Sequence, residues 1–347
     1  MNFYKQIILI LVIFLKTETL FSKNNLFSVN NIELEKKDKI TNKELADQAI
    51  KKGFNQLINK ILLKDDKKKL SDLNFPSIKQ LVTYYQIVNI SKEEDLQESV
   101  NFNVTFDKKK IHDLFFIRGI LYSEISNKEL YILPVLIKNN EIFIFNNNFF
   151  YENWNEVYEN DLIEFILPLE NIEIIEKINS NQNNLINLDI SNLLEEYSNN
   201  NLALILIEEN NKGIKKVYIK TKIQDKKITK NLDFKKELST INLYKSVITE
   251  TKKELIDLIK SKNLIDVRTP SFLNVKLNIN KNSNLVNLNK RIKNIDAIEK
   301  IYVQEFNKDY MSLRIKYLGK LNKIISLLKI KDIDLRLIND EWTIRTL

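Results

Sequence analysis

Cysteine is absent from this chain of 347 residues, and histidine, glycine and proline are scarce at one, four and four residues. Without cysteine there are no disulfides, no thiolate nucleophile and no lipid-modified residue at an amino-terminal leader. Stability therefore rests on packing, and a lipoprotein is excluded. A hydrolytic triad needs a positioned base and zinc needs a ligand set, and the lone His112 makes neither by itself. Gly53, Gly119, Gly213 and Gly319 lie too far apart for a dinucleotide fingerprint or a phosphate-cradling loop, and no Gly-x-Ser-x-Gly turn presents a serine. No cofactor is expected. Charge of one sign is also lacking: 54 basic residues stand against 46 acidic ones, a net +8 spread along the whole chain. The nearest basic runs, Lys67-Lys68-Lys69 and Lys226-Lys227, sit beside Asp65-Asp66 and Asp225. A nucleic-acid binder would show a basic stripe with interleaved aromatics, so no nucleic-acid partner is expected. Lys, Asn and Ile share AT-rich codons, which gives the charge excess a compositional origin.

What is present begins with the first twenty-two residues. Lys5, the unbroken apolar run Ile7–Leu15 and the small-residue end at Leu20-Phe21-Ser22 follow the order of a secretory signal peptide. Nine helical residues reach only about 14 Å, short of a bilayer core of about 30 Å. Residues 1–22 are therefore read as an export signal, and the protein as periplasmic. Lys16 interrupts the run early and Leu20 is an imperfect residue before the cut, so retention at the inner membrane on an uncleaved leader is the alternative. Beyond the leader no apolar run approaches the roughly 20 residues that span a membrane. The remaining chain, with 44% hydrophobic residues overall, is long enough for several domains.

The pattern along the chain predicts an α+β protein of three small modules with mainly antiparallel or mixed sheets. The first occupies 23–160. It opens with a strand over about 26–37, then a helix from a Thr41…Glu44 capping box to about Leu63, with Gly53 inside it where another element comes close. Strands over Val82–Ile90 and Leu96–Phe106 flank Glu93-Glu94-Asp95, and Asp107 caps a helix that closes on Gly119. Leu130–Ile137 and Glu141–Phe145 form a hairpin. The second module, 161–265, holds a strand ending at Pro168 and a short helix over Ser191–Ser198. Its apolar run Leu202–Ile207 suits a strand buried on both faces, and a long helix over Thr240–Lys262 closes it. The third, 266–347, reads βαββαβ, with strands at Phe272–Ile279, Ile298–Phe306, Met311–Tyr317 and Ile333–Ile338 and a short further strand at Trp342–Ile344. That is the split-βαβ order of ferredoxin-like domains.

The residues Tyr131-Ile132-Leu133-Pro134-Val135-Leu136, followed by Phe149 and Trp154 after an Asn-rich segment, resemble a proteobacterial family of exported proteins known as a domain of unknown function. Ala46 and Ala49, the Phe106-Asp107 step, Leu167-Pro168 and Tyr317-Leu318-Gly319 extend the resemblance over nearly the whole mature chain. The middle region is also similar to the amino-terminal domain of the periplasmic protein TolB, and the first domain to flagellar assembly protein T. The resemblance implies residence in the envelope and modules that contact other proteins, and it carries no catalytic residues. This chain is poorer in Gly, Ala and Arg than those relatives.

Candidate chemistry is sparse. Glu93-Glu94-Asp95, Glu195-Glu196 and Asp332/Asp334 pair carboxylates. The i, i+2 spacing of the last would set both on one strand face, either as a weak cation site or as an exposed face opposite Ile333 and Leu335. His112, in the first turns of its helix, is read as structural or solvated. Phe149-Phe150-Tyr151 and Trp154 follow three asparagines. They are either a loop folded over the first core or a patch that binds a partner, since Trp and Tyr are enriched in interface hot spots. The function expected is that of a non-enzymatic binding or assembly factor of the bacterial envelope, its partner an envelope protein met by sheet edges and this aromatic loop. Two competitors stand beside it. A carboxylate-dependent enzyme would need a pocket gathering acids from different modules, and a sensor of an anionic ligand or membrane surface would need basic residues converging on one face.

Overall fold

A computed structural model describes residues 26–35, 40–91, 99–125, 128–158, 162–210, 213–234, 240–279, 285–293 and 295–347. The leader and Glu93-Glu94-Asp95 lie outside these. The protein is α+β and divides into two compact units. One is built from the chain up to Asn59, Asp66–Leu121 and Asp266–Leu347, the other from Lys60–Asp65 and Tyr122–Ile265.

The first unit opens with β1 (Ser28–Glu35), then α1 (Asn42–Ile61). The helix begins with a reciprocal capping box: Glu44 N–H donates to Thr41 Oγ1 at 3.2 Å, and Thr41 N–H donates to Glu44 Oε2 at 2.8 Å. After α2 (Lys64–Lys68) and α3 (Phe75–Gln80) come β2 (Val82–Ser91) and β3 (Ser99–Phe106). These strands form an antiparallel sheet in the order β1-β3-β2. Gly53 of α1 faces it. A Cβ there would stand 2.8 Å from Ile32 Cδ1 and 3.5 Å from Val104 Cβ, so the helix is seated close over β1 and β3 and a side chain at this position would have to move the Ile32 δ-methyl aside. Next is α4 (Lys108–Arg118), capped by the Asp107 carboxylate at the amide groups of Lys109 and Lys110 and ended by Gly119 at φ 59°.

The second unit runs from β4 (Tyr122–Ser123) to β11 (Leu264–Ile265), which pair antiparallel. Its main sheet has the order β10-β9-β8-β5-β6, with β7 also on β5. The strands are β5 (Glu129–Lys138), β6 (Glu141–Phe143), β7 (Glu164–Ile166), β8 (Leu202–Asn210), β9 (Gly213–Ile223) and β10 (Lys226–Asp233). Strand β5 is parallel to β8 and β7, and the other pairs are antiparallel. Since β5 lies before residue 160 and β8 after it, the boundary expected there falls within one sheet. Both faces of β8 are buried, as its unbroken apolar run requires. Ala203, Ile205 and Ile207 pack with α8 (Thr240–Lys262), and Leu202, Leu204 and Leu206 with α6 (Ile172–Ser180) and α7 (Ile190–Leu193).

The first unit is completed by β12 (Ser271–Asn278), α9 (Leu285–Ile292), β13 (Ile298–Phe306), β14 (Tyr310–Tyr317), α10 (Leu321–Lys329), β15 (Ile333–Ile338) and β16 (Glu341–Thr346). The βαββαβ order is present, but the sheet runs β13-β14-β12-β16-β15. The last strand folds back as a hairpin on β15 and inserts parallel to β12, so this sheet has one strand more than a ferredoxin-like sheet. Asn339 and Asp340, both at positive φ, make the two-residue turn that allows the insertion.

Candidate functional site

The four aromatics, read from the sequence as either a loop folded over the first core or a partner patch, pack into the core of the second unit and form no surface patch. Phe149–Asn153 is a single helical turn, α5, and Phe150 and Trp154 are wholly buried while Phe149 and Tyr151 are half-buried. Phe149 and Phe150 pack at 5.2 and 5.0 Å on the Tyr244 ring of α8, and Trp154 meets Phe165 edge-on at 6.2 Å. Asn148 explains why large rings follow three asparagines. Its buried side chain caps the turn, accepting from the Phe150 and Tyr151 amides, and its Nδ2 donates to the carbonyls of Pro134, Phe143 and Ile144. The polar run is thus a cap that turns the rings inward.

His112 is buried rather than on the helix surface, at 8% exposure. Its ring stands edge-on to Phe27 at 5.5 Å, with Nδ1 3.6 Å from Glu299 Oε1. Glu299 is held in turn by Lys316 at 2.8 Å. Burial, and then the neighbouring Lys108 charge, lower the imidazole pKa to about 4, so it is neutral at pH 7 and links the amino- and carboxy-terminal parts of the first unit. Asp332 and Asp334 do not share a strand face. Asp332 sits in the turn before β15 at φ 53°, and Asp334 is bridged by Arg336 and Arg345 at 2.8 and 3.0 Å. Glu195 and Glu196 are exposed. Among the described residues no three His, Asp or Glu side chains are grouped to hold a metal ion.

The feature that stands out lies on β2. It is ten residues long, ends the β1-β3-β2 sheet at an edge, and its sequence VTYYQIVNIS has no charged residue in a chain where 29% are charged. Tyr84, Tyr85, Ile87 and Val88 are 53, 47, 46 and 48% exposed. With α1 seated over β1 and β3, Tyr85 and Ile87, opposite buried Val104 and Phe102, extend past the helix's cover. Register shifts flank the regular stretch Tyr84–Ile87, which pairs residue by residue with Thr105–Phe102. Exposed edges are ordinarily blunted by charge, and the other long edges obey: β10 carries Lys226, Lys227, Lys230 and Asp233, and β13 carries Glu299, Lys300 and Glu305. Edge β2 is unguarded. The signal that could have singled it out was there in the sequence as an uncharged decamer between charged flanks.

Comparison with protein-family models, curated proteins and solved structures finds no match to this chain.

Proposed function

We propose that this protein is a non-enzymatic binding or assembly factor of the bacterial envelope that takes a protein partner by strand addition at β2. The observation that carries the reading is the uncharged, half-exposed edge over Tyr84–Val88. An added strand would pair with the outward N–H and C=O groups of β2, and its alternate side chains would cover Tyr85 and Ile87. The leader-like residues 1–22 and the resemblance to exported envelope proteins support a periplasmic setting, with an uncleaved leader as the route to the inner membrane.

The test uses a photo-crosslinking residue in place of exposed Gln86, in cells, with and without Ile87→Lys. A discrete adduct is expected, lost when the lysine places a charge on the edge, while the melting temperature changes little because Ile87 is half-exposed. The same adduct in the Ile87→Lys protein, or no adduct in either, overturns the reading.

A further inference from the structure

We propose that the open face of the five-stranded sheet docks on an anionic lipid surface. One face of this sheet is closed by α9 and α10 through Leu288, Ile292, Ile324 and Leu328, which pack on Leu273, Val275 and Leu277 of β12. The register fixes what the other face presents, because directly opposed residues in a sheet point to the same side. Asn274 lies opposite Arg314 and Phe272 opposite Lys316 across β12 and β14, and Tyr302 and Lys300 lie opposite Arg314 and Lys316 across β13 and β14. Lys276 and Tyr310 belong to the same face.

Cations on this face are set over rings. Arg314 Cζ is 4.4 Å from the Phe272 centroid, Lys276 Nζ is 4.4 Å from Tyr310, and Lys300 Nζ is 5.1 Å from Tyr302. Phe272 and Tyr302 are 46 and 39% exposed. Of the carboxylates on the face, Asp334 is held by Arg336 and Arg345, Glu299 by Lys316 and Glu341 by Lys276, while Glu305 accepts from the Tyr310 hydroxyl at 3.0 Å. Among the described residues Arg314 and Lys300 join no ion pair, so they can meet a phosphate without breaking one.

This combination suits the headgroup layer of a membrane. Tyr and Phe rings settle there with cations reaching the phosphates, and each basic residue near an anionic leaflet strengthens attachment. A single-stranded nucleic acid would instead need free ring faces on which to stack bases, and here three rings are already covered by cations.

The test is co-sedimentation of the full chain at low salt with vesicles of phosphatidylcholine, with and without phosphatidylglycerol. Binding is expected only with phosphatidylglycerol, and Arg314→Gln with Lys300→Gln is expected to weaken it roughly 25-fold, about five-fold per cation. A matched pair on the other unit, Lys226→Gln with Lys245→Gln, reports the effect of diffuse charge, and circular dichroism confirms that both variants fold. Equal loss in the two pairs, binding to neutral vesicles alone, or no loss in the Arg314/Lys300 variant overturns the proposal. So does retention of a single-stranded oligonucleotide without vesicle binding. Ile87→Lys should leave vesicle binding unchanged, which separates this surface from the β2 edge.

Discussion

His112 shows how one side chain can link stability to pH. Burial lowers its pKa from 6.5 to about 4, Lys108 adds to the effect, and Glu299 and Asp113 oppose it. In the unfolded chain the imidazole takes a proton as pH falls through about 6.5, whereas the folded chain resists until about 4. The unfolded state therefore binds more protons across that window. The stability given by the neutral, buried ring is fully present above pH 6.5 and is lost as pH falls toward 4. The full difference is on the order of 3 kcal/mol. Thermal melts between pH 7 and 4 are expected to show a falling midpoint that flattens in His112→Gln. Parallel curves for the two proteins would remove His112 as the group responsible. The Thr41–Glu44 box and the Asp107 and Gly119 caps, by contrast, were legible in the sequence, because capping depends on residues three or four positions apart.

At the scale of elements, β5 depends on a residue ten positions beyond its end. Strand β7 pairs with Glu129–Tyr131 and β6 with Leu136–Lys138, so residues 132–135 have no strand on that side. Pro134, which has no N–H to offer a neighbour, lies in this gap. Asn148 takes the place of the missing strand by donating to the Pro134 carbonyl at 2.9 Å while it caps α5. Asn148→Ala would strand carbonyls and amides in the core and is expected to lower stability by roughly 2–4 kcal/mol. Asn148→Asp, which keeps the cap and loses the donor, should fall no less far, because its charge would be buried against carbonyl oxygens. Urea denaturation measures both, and an unchanged midpoint would show that the amide carries no structural load. The sequence located nearly all these strands and the α8 span Thr240–Lys262, since periodicity and turn residues are local signals. It did not show that β5 and β8 are parallel neighbours, that Phe150 and Trp154 face inward, or that β16 inserts beside β12. Each of these depends on contacts made far along the chain. The β2 edge falls between the two cases, its lack of charge readable but its place at a sheet edge set by pairing.

At the scale of the whole molecule, the two units draw on the chain differently. The second is nearly continuous, Tyr122–Ile265 with only Lys60–Asp65 added, whereas the first needs segments from both ends of the sequence. Within the first unit those segments are tied by His112 to Glu299 and by the Lys108 ammonium to the Asp296 carbonyl. A fragment of residues 122–265 keeps both apolar clusters on either side of its main sheet, with Val247, Ile248 and Leu255 of α8 on one face and Ile174, Ile178 and Leu193 on the other. At about 140 residues it is in the size range where one core sustains a fold. What it loses is the 60–65 segment, including the Leu62 carbonyl to which the buried Lys260 ammonium donates at 3.2 Å. The fragment is therefore expected to melt cooperatively but below the full chain, and extending it to begin at residue 60 should recover part of the difference. Residues 1–121 alone lack the carboxy-terminal sheet against which His112 is buried, and should show His112 titrating near its ordinary pKa by NMR. A non-cooperative 122–265 fragment, or a His112 pKa still near 4 in 1–121, would contradict this division of the chain.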